Sequence, residues 1–201
     1  MIGTTNRSLT RPLLCPILAG VPFLSDVKAA AVKIITRLEA ANVMLVDGLQ
    51  LPDRLLALLD SGAWPRTADE AMKQNLRSLV CEDRIRHFAP EESMIYLYPP
   101  PFQTLARECS GVREGSFWSK FGAADEIVPE SSIVIADFGM GSDAPIILDY
   151  RASSDCPTVM RLCWLGEWGV INNHWVVCAS CFDGFADMLA LDGLSPLRLR
   201  G

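Results

Sequence analysis

Apolar residues alternate between two rhythms along this chain. In the first half they recur at helical spacing. Ser25-Asp26 can cap a helix starting near Val27, in which Ala31, Ile34, Ile35 and Leu38 fall on one face. Val43–Val46 is a short strand-like run, closed by an Asp47-Gly48 turn. Leu51-Pro52-Asp53 opens a helix with proline in its first turn, a wide leucine face (Leu55, Leu56, Leu58, Leu59) and Gly62 as its stop. Thr67 and Glu70 form a capping box, and the helix behind it is expected to carry Met72, Leu76, Leu79 and Val80.

Ile95–Tyr98 reads as a strand halted by Pro99-Pro100-Pro101, and Phe102–Cys109 as a short helix. Phe117-Trp118 is expected to anchor a loop-rich stretch from Gly111 to Gly122. The last third changes to strand texture: Ile133-Val134-Ile135, Pro145–Leu148, Thr158–Trp164 and Trp175-Val176-Val177. Phe182, Phe185, Met188 and Leu189 then predict a C-terminal helix. Helices first and antiparallel strands later imply an α+β domain.

The chain has 201 residues, so at ~150 residues per domain one domain with an extension is expected. We place the extension at residues 1–25 and the domain at 26–195. Half the residues are apolar and 21% are charged, enough for a real core and too ordered a composition for a disordered chain. The net charge of −6 disfavours phosphate backbones and favours a basic protein partner. The apolar run Leu13–Leu24 holds Pro16 and Pro22 and falls well short of the ~20 residues of a membrane-crossing helix. The same prolines interrupt what a secretory signal would need. Seven scattered cysteines fit free thiols in a cytoplasmic protein better than a disulfide framework.

Candidate chemistry is sparse. Cys178-Ala179-Ser180-Cys181 is a CxxC between a strand and a helix, the setting of a redox or metal pair, but a zinc site needs a second ligand pair. The bland alternative is a small buried Cys178 and an incidental Cys181. Asp137-Phe138-Gly139 matches the kinase magnesium tripeptide without the other kinase elements. Gly139-Met140-Gly141-Ser142 completes no phosphate-binding motif and reads as a turn. His87 and His174, the latter in an expected hairpin loop, have no evident nucleophile beside them. Asp137, Asp143 and Asp149 could share one side of a hairpin and hold a cation; more often such residues cap turns and form local ion pairs. Of the five tryptophans, Trp164 and Trp175 fit core strand positions, and Trp168 is the candidate exposed anchor.

The segment from Asp137 through Gly139, Gly141 and Pro145-Ile146-Ile147-Leu148 to Asp149-Tyr150 resembles a signature of the SUKH superfamily. This is the cell-wall-assembly and killer-toxin-resistance group. Pro157-Thr158-Val159, Trp175-Val176-Val177 and the Phe182/Phe185 pair follow in the family's order. Upstream, Leu51-Pro52 with its leucine-rich helix and Ile95–Phe102 are similar to earlier parts of family members, so the likeness spans about residues 43 to 190. The Cys178/Cys181 pair and the N-terminal extension depart from the pattern. The resemblance implies a single α+β domain with a mixed, largely antiparallel sheet in its C-terminal half and helices packed on one side. It implies no enzyme, cofactor or metal. It implies an intracellular immunity protein that binds and neutralises a toxin domain, often a nuclease or deaminase, with no nucleic acid or membrane as partner. Asp143, Asp149 and Trp168 are the expected partner contacts. The alternatives are a regulatory scaffold of the cell-wall-signalling type and a thiol- or metal-dependent enzyme using Cys178 and Cys181.

Overall fold

The computed structural model describes residues 45–110, 126–139, 144–164 and 173–194. The expected extension, the helix from Val27, Phe117-Trp118, Asp143 and Trp168 lie outside these residues. Strands β1 (Leu45–Val46) and β2 (Leu49–Gln50) form a hairpin on the Asp47-Gly48 turn, where both residues have positive φ, 52° and 88°. An Asp-Gly pair is suited to that primed turn, whose twist matches the paired strands. The Asp47 carboxylate accepts from the Thr104 hydroxyl at 2.8 Å and pairs with Arg107 at 2.6 Å, which ties the turn down.

Helix α1 (Asp53–Ser61) begins after Pro52 and ends at Gly62, whose φ of 75° stops it. Helix α2 (Ala68–Met72) is capped as its sequence indicates, with the Thr67 hydroxyl accepting from the Glu70 amide at 3.2 Å. Glu70 reaches one residue beyond the cap, accepting from the Arg66 amide at 2.8 Å.

The expected continuation of α2 does not occur. After Met72 the chain tightens into a 3₁₀ turn (Lys73–Asn75), and Met72 and Leu76 are exposed. The reason is Gln74, which is fully buried. Its amide donates to the Leu97 carbonyl at 2.8 Å and its Oε1 accepts from the Leu97 N–H at 2.9 Å. A glutamine side chain thus completes the edge of a strand, and periodicity of apolar residues does not register it. Helix α3 (Glu82–Phe88) follows in a stretch whose polar composition hid it; Ile85 is its one buried residue.

Strands β3 (Tyr96–Leu97) and β4 (Gln103–Thr104) pair with the same long strand, β5 (Ser132–Asp137). The proline segment between them is a loop-out from an interrupted edge strand, because proline cannot donate to a ladder. Helix α4 (Leu105–Ser110) follows β4. Strands β6 (Pro145–Asp149), β7 (Thr158–Trp164) and β8 (Asn173–Ala179) extend the sheet in the order β3-β5-β6-β7-β8. Every pairing among the described residues is antiparallel, in keeping with the largely antiparallel sheet expected, with no parallel pair among them. His174 lies within β8, opposite Cys163, and not in a hairpin loop. Helix α5 (Phe182–Leu189) closes the described fold.

Ile133, Ile135, Ile146, Leu148 and Val159 form one sheet face with Leu55, Leu58, Ile85, Phe182, Phe185 and Leu189 of the helices. Val134, Ile147, Met160, Leu162 and Trp175 form a second cluster on the other face with Leu105 and Ile127, smaller among the described residues. Trp175 is core, as its strand position suggested, whereas Trp164 at the end of β7 is 37% exposed. The observed architecture is therefore an α+β arrangement of helices and a meandering antiparallel sheet. Among the described residues, no helix is long and apolar enough to cross a membrane.

Candidate functional site

The aspartates that the sequence offered serve local structure where they are described. Asp137 is 2% exposed. Its Oδ1 accepts from the Phe138 amide at 2.6 Å and the Ala144 amide at 3.2 Å, tying the end of β5 to the residue just before β6. The Tyr98 hydroxyl donates to its other oxygen at 3.3 Å. Burial first, then the Asp137 charge, holds that phenol well above its ordinary range. Asp149 is also buried. Arg151 embraces it, with Nε 3.0 Å from both oxygens and Nη2 2.8 Å from Oδ2. This bidentate pair is geometrically specific and braces the start of the β6–β7 loop. At that corner the guanidinium, not the proposed Asp149 contact, faces outward.

The CxxC is divided. Cys178 is the extra residue of a bulge between β7 and β8, and it packs against the helix-side core. Burial pushes its thiol up to about 12, with nearby Arg161 lowering it and Cys163 raising it further. Burial likewise raises the Cys163 thiol. A raised thiol is a poor nucleophile and a poor metal ligand at neutral pH. Among the described residues, no group of three or more Cys, His, Asp or Glu is placed to hold a metal ion.

What the tertiary structure assembles instead is a cavity of about 540 Å³, where the β2–α1 junction, the β6–β7 loop and the amino end of α5 meet. Gln50, Leu51 and Pro52 form one wall, Ser154, Asp155, Cys156 and Pro157 a second, and Cys181, Phe182 and Asp183 a third. The loop holds its shape through Ser153, whose hydroxyl accepts from the Asp155 amide at 3.3 Å and the Cys156 amide at 3.1 Å. Arg54 ties α1 to α5. Its Nη1 donates to the Asp183 carbonyl at 2.9 Å, and its Nη2 pairs with Asp187 at 2.6 Å and also with Asp192. Those two carboxylates hold the guanidinium above its ordinary pKa.

Exposed Asp53, Asp155 and Asp183 line the cavity. Among the described lining residues Arg54 is the one cation, and it is already engaged by Asp187 and Asp192. The rim is therefore net negative. Sequence reasoning did not single out Asp53, Asp155 or Asp183. They come from distant segments, and only the acidic balance of the whole chain hinted at such a patch.

The fold class is thus α+β with an antiparallel sheet, and the site is an acid-rimmed cavity beside the last helix. No protein-family model, no curated protein and no solved structure matches the chain.

Proposed function

We propose that the protein is a non-catalytic, protein-binding module of SUKH type, an intracellular immunity protein that binds and neutralises a basic toxin domain of nuclease or deaminase kind. The observation that carries this reading is the acidic rim of Asp53, Asp155 and Asp183 around the α1–α5 cavity, on a chain of net charge −6. Such a surface draws a cationic partner in and disfavours phosphate backbones. It can occupy the basic groove where a nuclease takes its substrate.

The test is capture by tagged full-length protein from a lysate of its source, followed by mass spectrometry and titration. One stoichiometric basic partner is expected. Its binding should weaken as salt rises from about 0.05 to 0.5 M, and Asp155→Lys with Asp183→Lys should slow association by about tenfold or more. Binding indifferent to salt and to both reversals would remove the acidic-rim reading. Recovery of many signalling proteins would replace immunity with a scaffold role. Substrate turnover by the purified chain in a hydrolase screen would overturn the non-catalytic assignment.

A further inference from the structure

The same cavity brings together two cysteines that the sequence keeps apart. Cys156 is exposed near the end of the β6–β7 loop. Cys181 sits at the N-cap of α5, in extended conformation, with no side-chain cap bond. The β7–β8 ladder ends at the Val159–Ala179 pair. The chain reaches Cys156 shortly before Val159 and Cys181 just after Ala179, so both flank the same end of the ladder. Both residues line the same cavity, where burial first and then the neighbouring Cys181 raise the Cys156 thiol. Of the other described cysteines, Cys178 packs on the helix-side core, Cys163 is buried, Cys109 packs against the second cluster, and Cys81 lies at the start of α3 beside Arg84 and His87.

We propose that Cys156 and Cys181 are a redox modification site, forming a reversible disulfide that staples the β6–β7 loop to the amino end of α5 across the cavity. The oxidant is a small-molecule disulfide of the glutathione class. A thiolate of the pair attacks one sulfur of that disulfide and expels a small thiolate. The second protein thiolate then displaces the bound small thiol. Overall, the two cysteines lose two protons and two electrons, one S–S bond forms between them, and the small disulfide is reduced to two thiols. The pairing is independent of whether the rim binds a toxin.

The test uses the reduced full-length chain, equilibrated with graded mixtures of reduced and oxidised glutathione, trapped by alkylation and mapped by mass spectrometry. The mass should fall by about 2 Da as the disulfide forms. Trypsin separates the two cysteines at Arg161, so the linkage joins the peptide ending there to the one that follows, with fragmentation placing the bond on Cys181. Cys178→Ala should retain the bond, whereas Cys156→Ser and Cys181→Ser should each abolish it. Cys156→Ser alters an exposed loop residue, so it covers the case in which the Cys181 variant fails to fold. The oxidised form should melt about 5–10 °C higher. Full alkylation of both cysteines in the most oxidising mixture would overturn the proposal. So would separate glutathione adducts on each, or a Cys178–Cys181 bond in place of the proposed one.

Discussion

The face of the sheet that carries Ile133, Ile146, Leu148 and Val159 is packed against α1, α3 and α5, whereas the face with Val134, Ile147, Met160, Leu162 and Trp175 meets Leu105 of α4 and Ile127. The helix-side cluster is stitched by aromatic contacts. Phe185 lies 5.9 Å from Phe88, edge to face, and 6.2 Å from Phe182. Phe88 in turn lies 5.8 Å from Phe138. The helix side also holds the buried Arg161, which is paired with Glu91 at 2.6 Å and lies 5.6 Å from the Phe138 ring centre. Burial then declines outward along the other face: at the outermost strand Trp175 is buried but Val177 is 57% exposed. A core held by several helices cannot collapse around a lost side chain as readily as a thinner one. Most of the fold's resistance to truncation should therefore sit on the helix side.

That difference can be broken or sharpened by substitution. The largest effect is expected from Phe185→Ala, at the centre of the helix-side cluster. It should cost about 4 kcal/mol, read from the urea unfolding midpoint at unchanged slope. Leu162→Ala, equally buried on the other face, should cost about 2.5 kcal/mol. Equal losses at the two sites would erase the distinction between the faces.

The sheet edge gives a third probe. Gln74→Leu keeps the side chain's bulk but orphans the Leu97 N–H and carbonyl, so a loss of about 2 kcal/mol is expected. Hydrogen exchange should quicken at the Leu97 amide specifically. A neutral outcome would mean that the glutamine is ornamental.

A smaller effect comes from the Thr67 cap. The Arg66 side chain, by hydrogen bonding, holds the Glu70 carboxyl below its ordinary value. A depressed folded-state pKa stabilises above the ordinary carboxylate value, and that stability is lost as pH falls through the lowered one. Glu70→Gln should therefore cost about 1 kcal/mol at pH 7 and almost nothing by about pH 2.5. A difference that persisted in acid would point to packing instead. The smallest effect belongs to Val177→Thr, which should move stability by less than about 0.5 kcal/mol. A larger loss would mean that the outer strand is covered more firmly than its exposure indicates.

Much of the architecture was legible from short stretches of chain. The uninterrupted apolar run Ile133-Val134-Ile135 reads as a buried strand, and residues of β5 enter both clusters. The candidate site was far less legible. Asp149 stands at a motif position, yet Arg151, two residues away, makes it a brace. The CxxC suggested that Cys178 and Cys181 act together. A one-residue bulge places Cys178 against the core, while Cys181 opens onto the cavity. Cys156, which shares the cavity with Cys181, carried no local signal at all.

The sequence by itself determined where chain direction changes and where apolar faces form. Asp47-Gly48 tolerates positive φ, Gly62 permits a left-handed stop, Thr67 caps a helix, and Phe182, Phe185 and Leu189 share one helical side. Each of these depends on sterics or hydrogen bonds within a few residues, so the information is local. Only the tertiary structure decided that Gln74 would complete a strand edge, that Arg54 would bridge α1 to Asp187 and Asp192, and that Asp155, Asp183, Cys156 and Cys181 would share one cavity. Those groups come from segments distant in sequence, and around the cavity it is the end of the β7–β8 ladder that sets Cys156 and Cys181 on the same side. A shift of a single residue in the register of that ladder would exchange which side chains face the core.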